Sequence, residues 1–387
     1  MKMIVINRKF IWTAALAAVM ATACFFIAQS HGQSDLTATV KITMAGDFLL
    51  HAKVQAAAKT GENIYDYAPF LSEIKPHING DLNITNIEGQ VDGFGENRRI
   101  SAYPRFNYPL ALLDAVKYAG FNLVITANNH AFDNGWAGLL KTRDNLAAKG
   151  LDYIGTYAAP KEYAAPYVKE INGIRVGMTA WSALDNNLSL DGHEKYAMKK
   201  FSQHETDDLP RMLRDVATLR KAGAEVVLMA LHWGEEYHDA PRETQRQIAK
   251  RLIDGGVDVL VGGHPHCVQP IEVFDTERDG APFKAVCVYS LGNFFADQID
   301  LGNPVTQYGM LVSLGISRDT AGTISTEHLT YMPTFCDRRN GGYILAPAGK
   351  YANADARPEG FTDPLWAKSK AAWSYVRRVV GNVGEGM

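Results

Sequence analysis

Cysteine is scarce in this chain. Four occur in 387 residues, one of them (Cys24) inside an apolar N-terminal stretch, and no two form a C-x-x-C pair. A cysteine-type zinc site is therefore excluded. The three that remain, Cys267, Cys287 and Cys336, permit at most one internal disulfide, so disulfides do not hold this fold. Lysine and arginine form no tract, which leaves a nucleic-acid backbone nothing to bind. There is no repeat with a period of 20–50 residues and no low-complexity segment, so solenoids, propellers and disordered arrays are excluded as well.

The one stretch with the length and polarity of a targeting segment lies at the start. Lys2, Arg8 and Lys9 precede an uncharged run from Phe10 to Ala28, followed by Gln29-Ser30-His31-Gly32-Gln33. A basic n-region before an apolar h-region marks an exported chain. Residues 1–30 read as a signal peptide, or as a signal anchor in which residues 10–28 span the membrane. The expected location is periplasmic or otherwise extracytoplasmic. Without those three cations the formal charge of −3 becomes −6, a mildly acidic body. With 47% hydrophobic and 21% charged residues the composition is that of an ordinary globular protein with ample core.

One pattern recurs along the body: a helix, a glycine, then a buried strand. Pro109 to Gly120, Leu209 to Gly223 and Pro241 to Gly256 each show apolar residues at helical spacing stopped by glycine, and each leads into a short apolar run. The helix Trp136–Lys149 before Gly150 is a fourth. Such units in series predict an α/β layered domain. Asn172-Gly173 between two β runs predicts a hairpin. Further strands are expected over 268–274, 285–289 and 309–316, and a closing amphipathic helix over 361–380 carries Trp366 and Trp373 on its apolar side. Residues 183–208, polar and irregular, read as a surface excursion. One domain over 38–350, with a helical extension over 351–387 packed on it, is the simplest organisation.

Five of the apolar runs stop at residues able to hold a metal. They lead to Asp47, to Glu88, to Asn128-Asn129-His130, to His232 and to His264-Pro265-His266. Strands lying side by side and pointing the same way would gather these groups at one edge, where open α/β sheets place their sites. Any one strand-ending histidine is more often a buried structural residue, and an Asp after a strand is more often a helix cap. Five endings with oxygen or nitrogen donors point instead to a metal centre. Asp133 can hold His130 in one tautomer or keep it protonated.

Several segments together resemble the CapA family, the poly-γ-glutamate capsule biosynthesis proteins within the calcineurin-like metallophosphoesterase superfamily. They are Ala45-Gly46-Asp47, Asn86-Ile87-Glu88-Gly89, Ala119-Gly120-Phe121-Asn122, Ala127 to Gly135, Leu231-His232-Trp233-Gly234-Glu235-Glu236-Tyr237, Gly263-His264-Pro265-His266 and Tyr289-Ser290-Leu291-Gly292-Asn293-Phe294. The resemblance implies a four-layer αββα sandwich of the metallophosphoesterase type, with a metal site at the strand C-terminal edge. By the same resemblance, Asp47, Glu88, Asn129, His232, His264 and His266 would be ligands to two divalent transition metal ions (Mn, Fe or Zn). His130, with Asp133, would be the acid/base. Apart from the resemblance, Asn128 and Arg105 are candidates to contact an anionic substrate, although a surface ion pair is the commoner role for such an arginine. Position 49 is Leu where the phosphoesterase pattern has a histidine, and Glu88 replaces its second Asp. His51 stands near the missing histidine at a different spacing.

The resemblance implies a metal-dependent hydrolase or transferase that handles poly-γ-glutamate or a related anionic polymer, beside membrane-bound synthase subunits. A metal-dependent phosphatase or phosphodiesterase acting on phosphoesters is the alternative, and a non-enzymatic polymer-binding assembly factor is a third reading.

Overall fold

The computed structural model describes residues 36–94, 99–298, 302–381 and 383. The N-terminal segment read as a leader lies outside them. Sixteen strands are present among the described residues. In chain order they are β1 Leu36–Leu49, β2 Lys59–Gly61, β3 Ile64–Tyr65, β4 Leu82–Ile87, β5 Leu123–Ile125, β6 Asp152–Ile154, β7 Tyr167–Ile171 and β8 Ile174–Ser182. There follow β9 Val226–His232, β10 Val259–Gly263, β11 Ile271–Arg278, β12 Ala281–Val288, β13 Asn293–Ala296, β14 Tyr308–Asp319, β15 Ile324–Arg339 and β16 Gly342–Pro347.

Two mixed sheets stack face to face. The first has the order β16-β15-β14-β1-β4-β5-β6, with β13 beside the end of β1; the second has the order β11-β12-β10-β9-β8-β7. Within them β1, β4, β5 and β6 are mutually parallel, as are β8, β9, β10 and β12. Parallel neighbours need crossovers, and helices supply several of them: Ala111–Ala119 and Gly135–Ala148 on the first sheet, Leu209–Lys221 and Glu243–Asp254 on the second.

The alternation of side chains along each strand explains the layering. Val226, Leu228 and Ala230 of β9 face the space between the sheets, while Val227, Met229 and Leu231 face the helices Leu209–Lys221 and Glu243–Asp254. On the first sheet Val40, Ile42 and Met44 point inward, whereas Phe48, Val124 and Leu311 face a separate apolar layer under Ala111–Ala119. Both faces of the central strands are dry, which is why they read as unbroken apolar runs. The result is the four-layer αββα sandwich. Asn172 and Gly173, both with positive φ, turn β7 into β8 as the sequence predicts.

Three expectations need correction. The five strands that lead to candidate ligands do not share one sheet: β1, β4 and β5 belong to the first and β9 and β10 to the second. The edge they form is a seam where two sheets meet. β1 does not stop before Asp47 but runs through it to Leu49, with a register irregularity on both sides. The excursion over 183–208 is also no mere surface feature, because Leu190, Ala197, Met198 and Phe201 are buried in it.

Candidate metal centre

The seam places six predicted side chains in one buried cluster. Asp47, Glu88, Asn129, His232, His264 and His266 are all 5% exposed or less. Asp47 and Glu88 come from neighbouring parallel strands, Asn129 from the loop after β5, and the histidines from the ends of β9 and β10. His264 and His266 enter through backbone with φ of 98° and 57°. Such a conformation costs a non-glycine residue about 1–3 kcal/mol and persists where the surroundings impose it, as at functional sites.

The distances fit a cation better than direct hydrogen bonding. His232 Nε2 lies 3.8 Å from Glu88 Oε1, and His266 Nδ1 lies 3.9 Å from Asp47 Oδ2 and 3.8 Å from Glu88 Oε2. Donor atoms of Glu88, His264 and His266 all lie within 4.8 Å of one another. These gaps are too long for hydrogen bonds, yet suit ligands that each approach a common ion to about 2.0–2.2 Å. With both carboxylates ionised, Asp47 Oδ2, Glu88 Oε1 and Glu88 Oε2 are buried with no donor, and His264 Nδ1 likewise has no partner. Buried polar atoms are normally satisfied. Four orphans converging on one spot are what a divalent cation would satisfy, and carboxylate, amide and imidazole donors suit Mn, Fe or Zn.

Electrostatics agree. Burial pushes the Asp47 carboxyl up to about 6, against hydrogen bonds from Asn86 and the His264 backbone that pull it down. Glu88 is raised by burial first and then by the charges of Asp47, Glu236 and Asp133. Burial holds His264 down at about 4 and depresses His232 and His266 as well, with neighbouring imidazoles adding to the effect. The imidazoles are thus neutral and ready to ligate at ordinary pH.

Around this cluster runs a frame of amides. Asn86 Nδ2 donates to Asp47 Oδ1 at 2.8 Å and fixes that carboxylate. Asn129 Oδ1 stands 2.8 Å from His232 Nε2, while its Nδ2 donates to Asn186 Oδ1 at 3.3 Å. Asn186, on the excursion over 183–208, therefore turns the Asn129 oxygen inward. Asn293 Oδ1 lies 3.1 Å from His266 Nδ1. The sequence held a signal for two of these amides: Asn86 shares a strand face with Glu88 at a spacing of two, and Asn293 stands in the family-like segment Tyr289 to Phe294. Asn186 left none, since it reaches the site only through the tertiary path of its loop.

His130 borders the cluster. Its Nδ1 lies 2.8 Å from Asp133 Oδ2, which also accepts from the Phe106 backbone N–H at 2.6 Å. A Nδ1–H donated to Asp133 leaves Nε2 as the free ring nitrogen. His130 and His266 line a cavity of about 420 Å³ with His51, Lys53, Tyr103, Phe106, Glu236 and Tyr237. A cavity of about 540 Å³, lined in part by Tyr153, Tyr157, Tyr167 and Lys199, lies elsewhere and contains none of the clustered donors.

Two nominations come out differently. Asn128 does not face the cavity. Its amide donates to Asn86 Oδ1 and the Ile87 carbonyl, its oxygen accepts from the His130 backbone N–H, and it is fully buried. It braces the turn that carries Asn129 and His130. Arg105 is exposed on its loop and is not among the residues lining the cavity; its neighbour Phe106 is.

A two-sheet sandwich with acids, amides and imidazoles converging on its edge defines a protein of the αββα class with a candidate metal site. Comparison with known proteins makes the assignment specific: residues 41–298 match the family model of the bacterial capsule synthesis protein PGA_cap, and the chain belongs to that family. It is 30% identical over 259 residues to the PGA biosynthesis protein CapA of Bacillus subtilis (strain 168), covering 66% of this chain and 63% of that one. With the capsule biosynthesis protein CapA of Bacillus anthracis it shares 31% over 262 residues, covering 66% and 60%. The matched region thus spans a little over three fifths of these relatives' length. Among solved structures, the NAD nucleotidase of Haemophilus influenzae is similar with a TM-score of 0.42 at 11% identity, covering 88% of this chain and 60% of that one.

Proposed function

We propose that this protein acts outside the cytoplasm in the biosynthesis of poly-γ-glutamate or a related anionic polymer. It does so through a centre of two divalent transition metal ions held by Asp47, Glu88, Asn129, His232, His264 and His266. The observation that carries the reading is the set of buried, unpartnered donor atoms of Asp47, Glu88 and His264 in a chain of the PGA_cap family. Similarity to a PGA biosynthesis protein and to a capsule biosynthesis protein supports the choice of polymer.

When bound, such ions supply Lewis acidity toward a carbonyl or phosphoryl oxygen. The protein's own contribution is a buried set of donor atoms and a proton carrier. Asp133 holds the His130 ring, leaving Nε2 to give or accept a proton at a group bound in the adjoining cavity. That dyad is the observation favouring hydrolysis or transfer over passive binding of the polymer, with phosphoester hydrolysis as the alternative reaction.

The test has two stages. Elemental mass spectrometry on the purified full-length chain should find transition metal in the wild type and its loss in His264→Ala/His266→Ala. The metal-loaded protein should then shorten or transfer poly-γ-glutamate, read as a change in chain-length distribution, and should lose this ability in His130→Ala. A wild type that takes up no metal after reloading with manganese, zinc or iron would refute the centre. Release of phosphate from model esters with the polymer untouched would move the reading to a phosphoesterase.

A further inference from the structure

We infer that Asn293 is a further oxygen donor of the metal centre, acting beside His266; this rests on the metal-binding reading above. Asn293 opens β13, is 3% exposed, and pairs in register with Asp47 of β1. Its amide nitrogen donates to Gln298 Oε1 at 2.7 Å and to the Thr306 carbonyl at 2.8 Å. Both amide protons are thereby engaged, so the carboxamide cannot flip and its oxygen must face the other way. That oxygen stands 3.1 Å from His266 Nδ1.

His266 Nδ1 is the atom that decides the argument. It is the nitrogen lying 3.9 Å from Asp47 Oδ2 and 3.8 Å from Glu88 Oε2, so the imidazole faces both carboxylates through it. In the metal-free protein, Nδ1–H can donate to Asn293 Oδ1. Once Nδ1 gives its lone pair to a cation, that hydrogen is gone and two lone pairs would oppose each other across 3.1 Å. A locked amide cannot turn away, and the conflict is relieved if Oδ1 meets the same cation. Ligands at right angles on one ion, each about 2.1 Å from it, lie about 3.0 Å apart, close to the separation seen. A carboxamide also adds a donor without adding charge beside Asp47 and Glu88.

The backbone is built for this approach. A Cβ on Gly46 would lie 1.8 Å from the Gly292 carbonyl oxygen, and one on Gly309 would lie 2.2 Å from that of Asn293. Glycine on both flanking strands lets β13 come close enough to set Asn293 against Asp47.

The experiment is Mn²⁺ titration calorimetry and visible spectroscopy of the Co²⁺-loaded full-length chain, for wild type, Asn293→Ala and Asn293→Asp. Asn293→Ala should weaken Mn²⁺ binding about tenfold or more and shift the cobalt bands, while Asn293→Asp, which keeps an oxygen there, should remain within about threefold of wild type. An alanine variant within about twofold of wild type, with the same cobalt spectrum, would overturn the inference. So would an aspartate variant as weak as alanine, since the amide protons and not the oxygen would then matter. If near-UV circular dichroism shows Asn293→Ala unfolded, Asn293→Leu, of similar size, is judged by the same criteria. A wild type that binds neither ion would remove the metal reading and this inference together, whereas equal binding by wild type and alanine variant removes the inference alone.

Discussion

Asp47 and Glu88 resist ionisation for a reason that also predicts how the centre fills. Burial raises both carboxyls, Asp47 to about 6 and Glu88 further helped by the charge of Asp47. A metal at the proposed centre would have to displace their protons, whereas the imidazoles, held low by burial with His264 at about 4, are already neutral. The sign follows: as pH falls through 6, protons compete at the carboxyls and affinity drops; as pH rises, affinity climbs until both are ionised. Each competing proton contributes about tenfold per pH unit below its pKa. Mn²⁺ calorimetry between about pH 5 and pH 7.5, in two buffers of different ionisation enthalpy, should show rising affinity with net proton release. An affinity flat across that range would mean that the carboxyls do not ligate.

At the scale of elements, the seam depends on β9 and β10 staying in register, and one acid at their start does much of that. Asp258 is 1% exposed, accepts from the Val227 backbone N–H at 2.7 Å, and meets Arg220 at 2.5 Å and Arg278 at 2.7 Å. Asp258→Ala would orphan that N–H and strip two guanidiniums of their partner. Both arginines are partly open to water, which softens the loss, so about 2–3 kcal/mol is expected from urea unfolding. A change under about 0.5 kcal/mol would show that strand packing alone sets the register. The same strands show what the sequence could reveal. The runs leading to Glu88 and His232 do form strands, Leu82–Ile87 and Val226–His232, the second taking in His232 itself, because strands dry on both faces leave uninterrupted apolar runs. β15 and β16 went unread: β15 mixes half-buried polar positions with buried ones and gives neither pattern cleanly. The strands that lead to the candidate ligands could be recognised one by one, but their division between two sheets could not, since pairing partners leave no local mark. Asn186 escaped for the same reason, since its place in the site depends on a loop packed by Leu190 and Met198, far from the segments that end in ligands.

For the whole molecule, the family match and the folding unit have different ends. The match stops at 298, yet β14 pairs with β1 from Leu36 to Ala45 in the first sheet, and β15 and β16 extend that sheet outward. The last helix, Asp363–Val380, buries Leu365, Ala372, Val376 and Val380 in the layer between the sheets. A chain cut after 298 would leave β1 unpaired along its β14 edge and lose Met310, Val312, Leu314 and Ile316 from the central core. Each buried aliphatic side chain is worth about 1.5–3 kcal/mol, and marginal stability cannot absorb that many losses. The cysteines provide the readout. Cys267, Cys287 and Cys336 are free and buried, and burial pushes the Cys267 thiol up to about 12 and raises the other two as well. A buried thiol in that state is inert. Near neutral pH, iodoacetamide should leave all three unmodified in the intact chain, as judged by peptide mass spectrometry. In the chain cut after 298, Cys267 and Cys287 should both react without added denaturant, and the cooperative melting transition should vanish. Protection of both thiols in the shortened chain, together with a cooperative melt, would mean that residues up to 298 fold unaided and that β14 to β16 and the final helix are accessory.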